Sequence, residues 1–420
     1  MNGNNLALMA WRNLWRHRRR TIITISGIAF GLLLAVLFTG ISDAGYGNMI
    51  DYAARLRGGH VTVQHAEYLD KPSLSRTVSD TRAFTERALV EPGVTRVVTR
   101  ISGEVMLSTA GKNYGAGFIA YDPASEDAET FGMLKSIGQT PEDGEAFADA
   151  KGRGIILGAR LAKNLGVGIG KKVVYTMTDK QGEIITGMSR VSGIIRTGGP
   201  SVDGGICLFP IDTIREALGY EVDEGTMVSI FLDDHRDARQ LAAKLQAQVG
   251  DQAAALIWSE TQPDLAAFIS MKVNGGIFLE MIIAILIAAV IFITLFVSVM
   301  ERLREFGILL AIGCSPGRLS ALVLFESFWL AIVGLGAGIL LTIGPYLILA
   351  EKGLDLRAMM GVDKVPEISG IAMSPVIPFG IYPENAVIIA ILVVVATLLS
   401  GIYPAWRAAR VVPVDTIKLV

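Results

Sequence analysis

At 420 residues, 51% of them hydrophobic and 19% charged, with a mean hydropathy of +0.47, this chain is too apolar for an ordinary water-soluble enzyme. Its net charge of −2 excludes bulk electrostatic attraction to nucleic acid.

The chain opens on a predicted interfacial helix over 4–15, in which Leu6, Met9 and Ala10 share a face and Trp11 and Trp15 sit one turn apart beside arginines. It reads as a membrane-surface anchor or as a gating and partner-contact helix. The apolar run 22–42 follows, long enough to cross a hydrocarbon core about 30 Å thick. A cleaved signal peptide is the other reading; the run is too long for it and no A-x-A site follows. Helical periodicity continues through Met49, Ile50, Ala53 and Leu56 until Gly58-Gly59 stops it, and a matching helix over 263–273 leads into the second apolar run. These two segments are expected to extend the spans outward as stalks.

Between them the pattern is mixed. Strands are expected over 60–65, 94–101, 172–177, 187–195 and 227–232, and helices over 159–165, 211–218 and 237–249, which favours an α+β domain that can divide into two lobes. Residues 122–152, rich in Asp, Glu, Gly and Pro, are expected to be an exposed insertion. Three more apolar runs, 277–300, 319–349 and 386–404, fill the last third.

Arg12, Arg16, Arg18, Arg19 and Arg20 precede the first span without an acid among them; Arg302, Arg304 and Arg318 follow the second; Arg407, Arg410 and Lys418 close the chain. The 350–385 loop carries Lys352, Arg357 and Lys364 against Glu351, Asp355, Asp363, Glu367 and Glu384. The positive-inside rule then puts both ends and the 301–318 loop in the cytoplasm. The expected fold is an α-helical membrane protein with four transmembrane helices, one plus three, and a large α+β extracytoplasmic domain between the first two. The expected division is a cytoplasmic amphipathic helix 1–20, spans 21–42, 277–300, 319–349 and 386–404, an outer domain 43–276 with helical stalks, a cytoplasmic coupling elbow 301–318, an outer loop 350–385 and a cytoplasmic tail 405–420. This topology separates Cys207 from Cys314, so the outer domain holds together by its core rather than by a disulfide.

The elbow is the most structured motif. Leu303, Phe306, Ile308 and Leu310 give a short amphipathic helix, and Arg302 and Glu305 sit at i, i+3. Gly313 is placed as a C-cap, and Ser315-Pro316 as N-cap and N1 of the next helix. A rigid elbow of this kind moves both attached spans when it is pushed; a plain turn with solvated charges is the bland alternative. Gly166–Lys172 resembles a phosphate loop but lacks its spacing, and reads as a helix-to-strand turn. His60 and His65, five apart, make poor metal geometry, and neither a metal site nor a catalytic dyad is expected. Glu280 and Glu326 lie near the membrane faces, where snorkelling or a helix–helix hydrogen bond outweighs ion transport. Gly27-x-x-x-Gly31 and Gly334-x-x-x-Gly338 permit close helix packing, within the chain or, for the first, against a second subunit.

The run Glu301-Arg302-x-x-Glu305-Phe306-Gly307-x-x-x-Ala311-Ile312-Gly313 closely resembles the coupling segment of the FtsX/MacB/LolC-LolE family of ABC permeases. Gly158–Ala162 with Leu165–Val167 and Gly170, the ending Tyr403–Arg410 with Pro413, and Asn13-Leu14 with Arg18–Arg20 resemble other parts of the same family. The resemblance implies a non-catalytic permease of the bacterial inner membrane, closest to the lipoprotein-releasing branch. It implies ATPase coupling through Glu301, Arg302, Glu305, Phe306, Gly307, Ala311 and Gly313. ATP and Mg are then bound by separate LolD/MacB-type ATPase subunits, not by this chain. The further partners implied are a second permease, identical or paralogous, a periplasmic acceptor or lipoprotein cargo, and the lipid bilayer. Phe30, Leu34, Leu37, Phe278 and Met281 are candidate cargo-cavity residues by position. A transmembrane signal transmitter that activates a periplasmic cell-wall hydrolase, or an efflux permease for drugs or peptides, is the alternative.

Overall fold

The computed structural model describes residues 3–56, 58–138, 140, 143–197, 199–250, 252–355, 367–368, 371–372 and 376–410. The charge assignments on Arg357, Asp363, Lys364 and Lys418, and the motif residue Pro413, lie outside the described residues. In chain order the elements are α1 (Gly3–Arg16), α2 (Arg18–Leu56), β1 (Val61–His65), α3 (Thr81–Leu89), β2 (Val94–Thr109), β3 (Lys112–Tyr121), β4 (Gly154–Gly158), α4 (Ala159–Leu165), β5 (Lys172–Thr178), β6 (Ile184–Ile195), α5 (Pro200–Gly205), β7 (Ile206–Pro210), α6 (Ile211–Leu218), β8 (Met227–Leu232), α7 (Ala238–Gln246), β9 (Ala253–Ile257), α8 (Trp258–Thr261), α9 (Pro263–Glu301), α10 (Leu303–Ala311), α11 (Pro316–Lys352) and α12 (Pro383–Ala409). The chain divides into two units, one built on the four long helices and the other on Tyr46–Ile269.

In the helical unit, α2, α9, α11 and α12 are long and apolar enough to cross a membrane. At 39 residues each, α2 and α9 run to about 58 Å, well beyond the hydrocarbon thickness. Small residues set the helix contacts. A Cβ on Gly31 would overlap Ile287 of α9; on Gly334 it would come within 2.8 Å of Ile28, and on Gly338 within 2.7 Å of Leu32, both on α2. Gly27 faces Val290 at ordinary contact distance. All four glycines therefore face helices of this same chain. Polar ties reinforce the bundle: Thr39 donates to Glu280 at 2.6 Å, and Asn385 Nδ2 donates to Asp43 at 2.9 Å. Hydrogen bonds of this kind between spans are favoured because hydrocarbon offers no other partner.

The outer unit has two lobes on one nine-stranded sheet. Long β2 belongs to both. Its second half pairs with β3 and β5, and the circuit β2–β3–β7–β4–β6–β5 closes into a small barrel. Alternate side chains fill the barrel, among them Val105, Leu107, Phe118, Leu157, Val173, Tyr175, Cys207 and Phe209. The outward alternates Ile119, Tyr121, Ile156 and Leu208 pack against Met49, Ile50 and Ala53 of α2 and Leu265 and Ile269 of α9. The first half of β2 joins β8, β1 and β9 in an antiparallel sheet whose Val61, Val63, Val228 and Ile230 lie under α3 and α7.

Three expectations need correction. The 122–152 segment is not wholly exposed: Phe131, Met133 and Leu134 are buried against the foot of α2, and Glu126 is buried in an ion pair with Arg100, whose guanidinium lies 4.4 Å from the Phe131 ring. Strand β2 runs eight residues beyond the expected 94–101, passing from one lobe into the other near Ser102-Gly103, where a Cβ on Gly103 would come within 2.8 Å of Leu74. Two histidines far apart in sequence, His60 and His235, also meet at Asp51. His60 Nε2 lies 2.9 Å and His235 Nδ1 3.6 Å from Asp51 Oδ1, while His60 Nδ1 accepts the Leu232 N–H at 2.9 Å. That last bond assigns the His60 proton to Nε2, facing the carboxylate. This knot ties the foot of α2 to the small lobe immediately before Gly59 (φ +83°), where a Cβ would come within 2.7 Å of the Ile230 carbonyl oxygen.

Candidate functional site

The elbow is built from α9, α10 and α11, with α1 laid against them. Helix α10 ends at Ala311, Gly313 follows at φ +97°, and Pro316 starts α11, so the chain reverses within a few residues. Phe306 is buried with Ala10, Val299, Leu319, Leu322, Val323, Ala405 and Ala408, which pins the elbow to α1, α11 and α12.

Over this apolar anchor lies a polar chain. Arg302 Nη1 donates to Glu326 Oε1 at 2.9 Å, and its Nε donates to Glu305 Oε2 at 3.2 Å. Asn13 of α1 donates to the same Glu326 oxygen at 3.0 Å. Arg16 donates to Glu305 at 3.1 Å, and Arg20 donates to Glu301 at 2.9 Å and to Ser298. Arg302 and Glu326 are 8% and 6% exposed, so each is the other's principal counter-charge in a desolvated place. Trp329 donates to the Ala7 carbonyl at 3.1 Å, and Trp11 meets its ring edge-on. Helix α1 is therefore held along α11 through Leu6, Ala10 and Leu14. Met9, expected on the same face, is exposed.

These contacts sort the predicted coupling residues. Arg302, Phe306 and Gly307 point inward and fix the elbow; Glu301, Ala311 and Gly313 are open to solvent, and Glu305 is half-buried between Arg16 and Arg302. Ile308 does not join Phe306 on the buried side: it is exposed, together with Arg304 and Ile312, the last 78% accessible. The 304–308–312 spacing puts these three on one outward face. That i, i+4 pattern was legible in the sequence, but an apolar residue within an amphipathic run reads as core until its neighbours are known. Of the cargo-cavity candidates, Phe30, Leu34, Phe278 and Met281 are exposed on α2 and α9, and Leu37 is half-buried. An elbow with its anchors turned in and two isoleucines and an arginine turned out can receive a protein partner and pass its motion to two long helices.

Residues 21–248 match the MacB-like periplasmic core domain, and residues 277–413 match the FtsX-like permease C-terminal model. The chain belongs to the FtsX/MacB family of ABC transporter permeases. It is 25% identical over 281 residues to the lipoprotein-releasing system transmembrane protein LolC of Xylella fastidiosa, a match covering 63% of this chain and 64% of that relative. It is 22% identical over 420 residues to the lipoprotein-releasing system transmembrane protein LolE of Haemophilus influenzae, covering 96% and 98% of the two chains. Among solved structures, the extracellular domain of the ABC-type transporter YknZ aligns with 47% of this chain and 98% of its own, at 12% identity and a TM-score of 0.33.

Proposed function

We propose that this permease works as one half of a transport complex in the bacterial inner membrane, taking an amphipathic or lipidated cargo from the membrane toward an acceptor. The positive-inside asymmetry supports cytoplasmic termini and elbow with the outer domain on the far side. ATP and Mg belong to separate ATPase subunits that dock on Arg304, Ile308, Ala311 and Ile312. ATP-driven closure of those subunits pushes the elbow. The Arg302–Glu326–Asn13 tie makes α1, α9 and α11 move together, and α2 and α9, each one uninterrupted helix, carry the movement outward. The single observation behind this reading is the outward face of Arg304, Ile308 and Ile312 on an elbow braced by the buried Arg302–Glu326 pair: the pair favours one geometry, and the face offers apolar contact to a partner.

Affinity purification of the full chain from membranes, followed by mass spectrometry, tests it. The expected result is a co-purifying ATPase subunit, with retention falling at least tenfold in Ile312→Asp, and a lipoprotein or lipid in the same complex. Unchanged ATPase retention in that variant overturns the docking face. A co-purifying cell-wall hydrolase or its activator, in place of cargo, replaces transport with signalling.

A further inference from the structure

A line of rings follows the seam between α9 and α12. Phe292 and Phe296 stack on successive turns of α9, their centroids 5.9 Å apart and their planes 13° from parallel. Tyr403 of α12 lies 5.8 and 6.0 Å from them, and Trp406 lies 5.7 Å from Tyr403. The guanidinium of Arg410 ends the line, 4.2 Å from the centre of the Trp406 ring. Beside it, Ser400 Oγ donates to the Ala288 carbonyl at 2.9 Å and ties the two helices together. The line faces away from the bundle: Tyr403 and Trp406 are 48% and 44% exposed, and Leu399, Arg407 and Arg410 are exposed with them. Leu399, Tyr403, Trp406 and Arg410 recur at i, i+4, i+7 and i+11, which makes one stripe on a membrane-spanning helix. Glu301, which ends α9, sits half a turn round that helix from Phe292 and is bonded instead to Arg20 of α2.

The chemistry of the stripe changes in order along its length. Hydrocarbon comes first, at Leu399, Phe292 and Phe296; then the donors of the Tyr403 O–H and the Trp406 N–H; then the guanidinium groups of Arg407 and Arg410. From Tyr403 to Arg410 this takes about 10 Å along the axis. A glycerophospholipid presents the matching order: acyl chain, ester carbonyls that accept hydrogen bonds, phosphate. Guanidinium groups bind phosphate through paired N–H donors. A choline headgroup brings its own cation to that phosphate, so a headgroup of net negative charge is the better complement to two arginines. We propose that the α9–α12 seam binds an anionic phospholipid, its acyl chain along Phe292, Phe296 and Tyr403 and its phosphate on Arg407 and Arg410. Lying across both helices where α9 enters the elbow, the lipid braces the seam. The orientation proposed above puts the site in the inner leaflet; the match of chemistry does not depend on it.

The probes are dioleoyl phosphatidylglycerol and dioleoyl phosphatidylcholine, added to the full chain in detergent without ATPase, with retained lipid counted by native mass spectrometry. Phosphatidylglycerol should be retained at least fivefold more than phosphatidylcholine and should raise the melting temperature. Arg407→Gln with Arg410→Gln should bring its retention down to that of phosphatidylcholine. Trp406→Ala, which keeps both arginines, should lower it at least fivefold; lipid-free melting temperatures close to that of the wild type show that these variants are folded. Phosphatidylglycerol with a diazirine in one acyl chain should label peptides containing Phe292 and Phe296 or Leu399 and Tyr403. Equal retention of the two lipids, retention unchanged in both variants, or labelling spread evenly over the four spans overturns the proposal. So does a dimer of the chain that Trp406→Ala dissociates, since a second copy then covers the seam. Ile312→Asp should leave lipid retention intact, so failure of the docking reading and failure of the lipid site remain distinguishable.

Discussion

The elbow and the outer domain treat buried polar groups in opposite ways. Around Arg302 and Glu326, charges taken out of water are matched by Asn13, Glu305 and Arg16. Among the described residues, no buried side-chain nitrogen or oxygen of the helical unit lacks a hydrogen-bond partner; the unpaired ones, Gln64 Nε2 and Ser229 Oγ among them, all lie in the outer domain. A part that transmits force has to keep one geometry, and a complete polar network does that.

The sharpest way to break this contrast is to open the network at the elbow. Arg302→Met leaves Glu326 buried without its cation and should cost about 3–5 kcal/mol, read as a lowered melting temperature in detergent by tryptophan fluorescence. Arg302→Met with Glu326→Leu should recover most of that loss. A single variant that melts like the wild type would mean that the pair braces nothing.

Next in size, Gly31→Leu forces α2 and α9 apart at Ile287 and should destabilise by about 1–3 kcal/mol. Gly205→Leu, where a Cβ meets open space, should cost less. Thermal melts of the two variants make the comparison.

A smaller effect belongs to the Asp51 knot. Burial pushes the Asp51 carboxyl up, but hydrogen bonds with His235 and His60 outweigh it and hold the group below the usual carboxylate range. A carboxylate depressed in the folded state stabilises above its unfolded value near 4 and loses that contribution as pH falls toward the folded value. Asp51→Asn should therefore cost about 1–2 kcal/mol at neutral pH and flatten the acid limb of the stability profile, measured by denaturant melts between pH 7 and pH 3. An unchanged acid limb would remove the knot from the account. The smallest effect, with the opposite sign, is the slight stabilisation expected of Gln64→Met, which removes a buried unpaired donor.

The one-plus-three layout was legible because each of four apolar runs is long enough to cross a membrane, and the first is too long for a signal peptide. Strand β1 and helices α4 and α6 were legible because alternation, or a 3.6 period ending in glycine, marks them locally. Strands β3, β4, β7 and β9 were not: β4 and β7 are short apolar runs buried on both faces, which carry no period, and the glycines of β3 mask its alternation. At the elbow, the Arg302–Glu305 spacing could be read, but not the partner 24 positions away in Glu326, nor Asn13 from the other end of the chain. The meeting of Asp51, His60 and His235 was equally invisible, since only the pairing of β1 with β8 brings them together.

The central claim is that nucleotide events at the elbow move the outer domain. A fluorophore on Ile184→Cys, at the exposed start of β6, in a Cys314→Ser background, reports its distance to acceptor lipids by energy transfer in nanodiscs containing the ATPase partner. The account predicts a change in transfer on ATP binding in the wild type and none in Glu305→Lys, with ATP hydrolysis by the partner retained. An equal change in Glu305→Lys, or no change in the wild type, would contradict it.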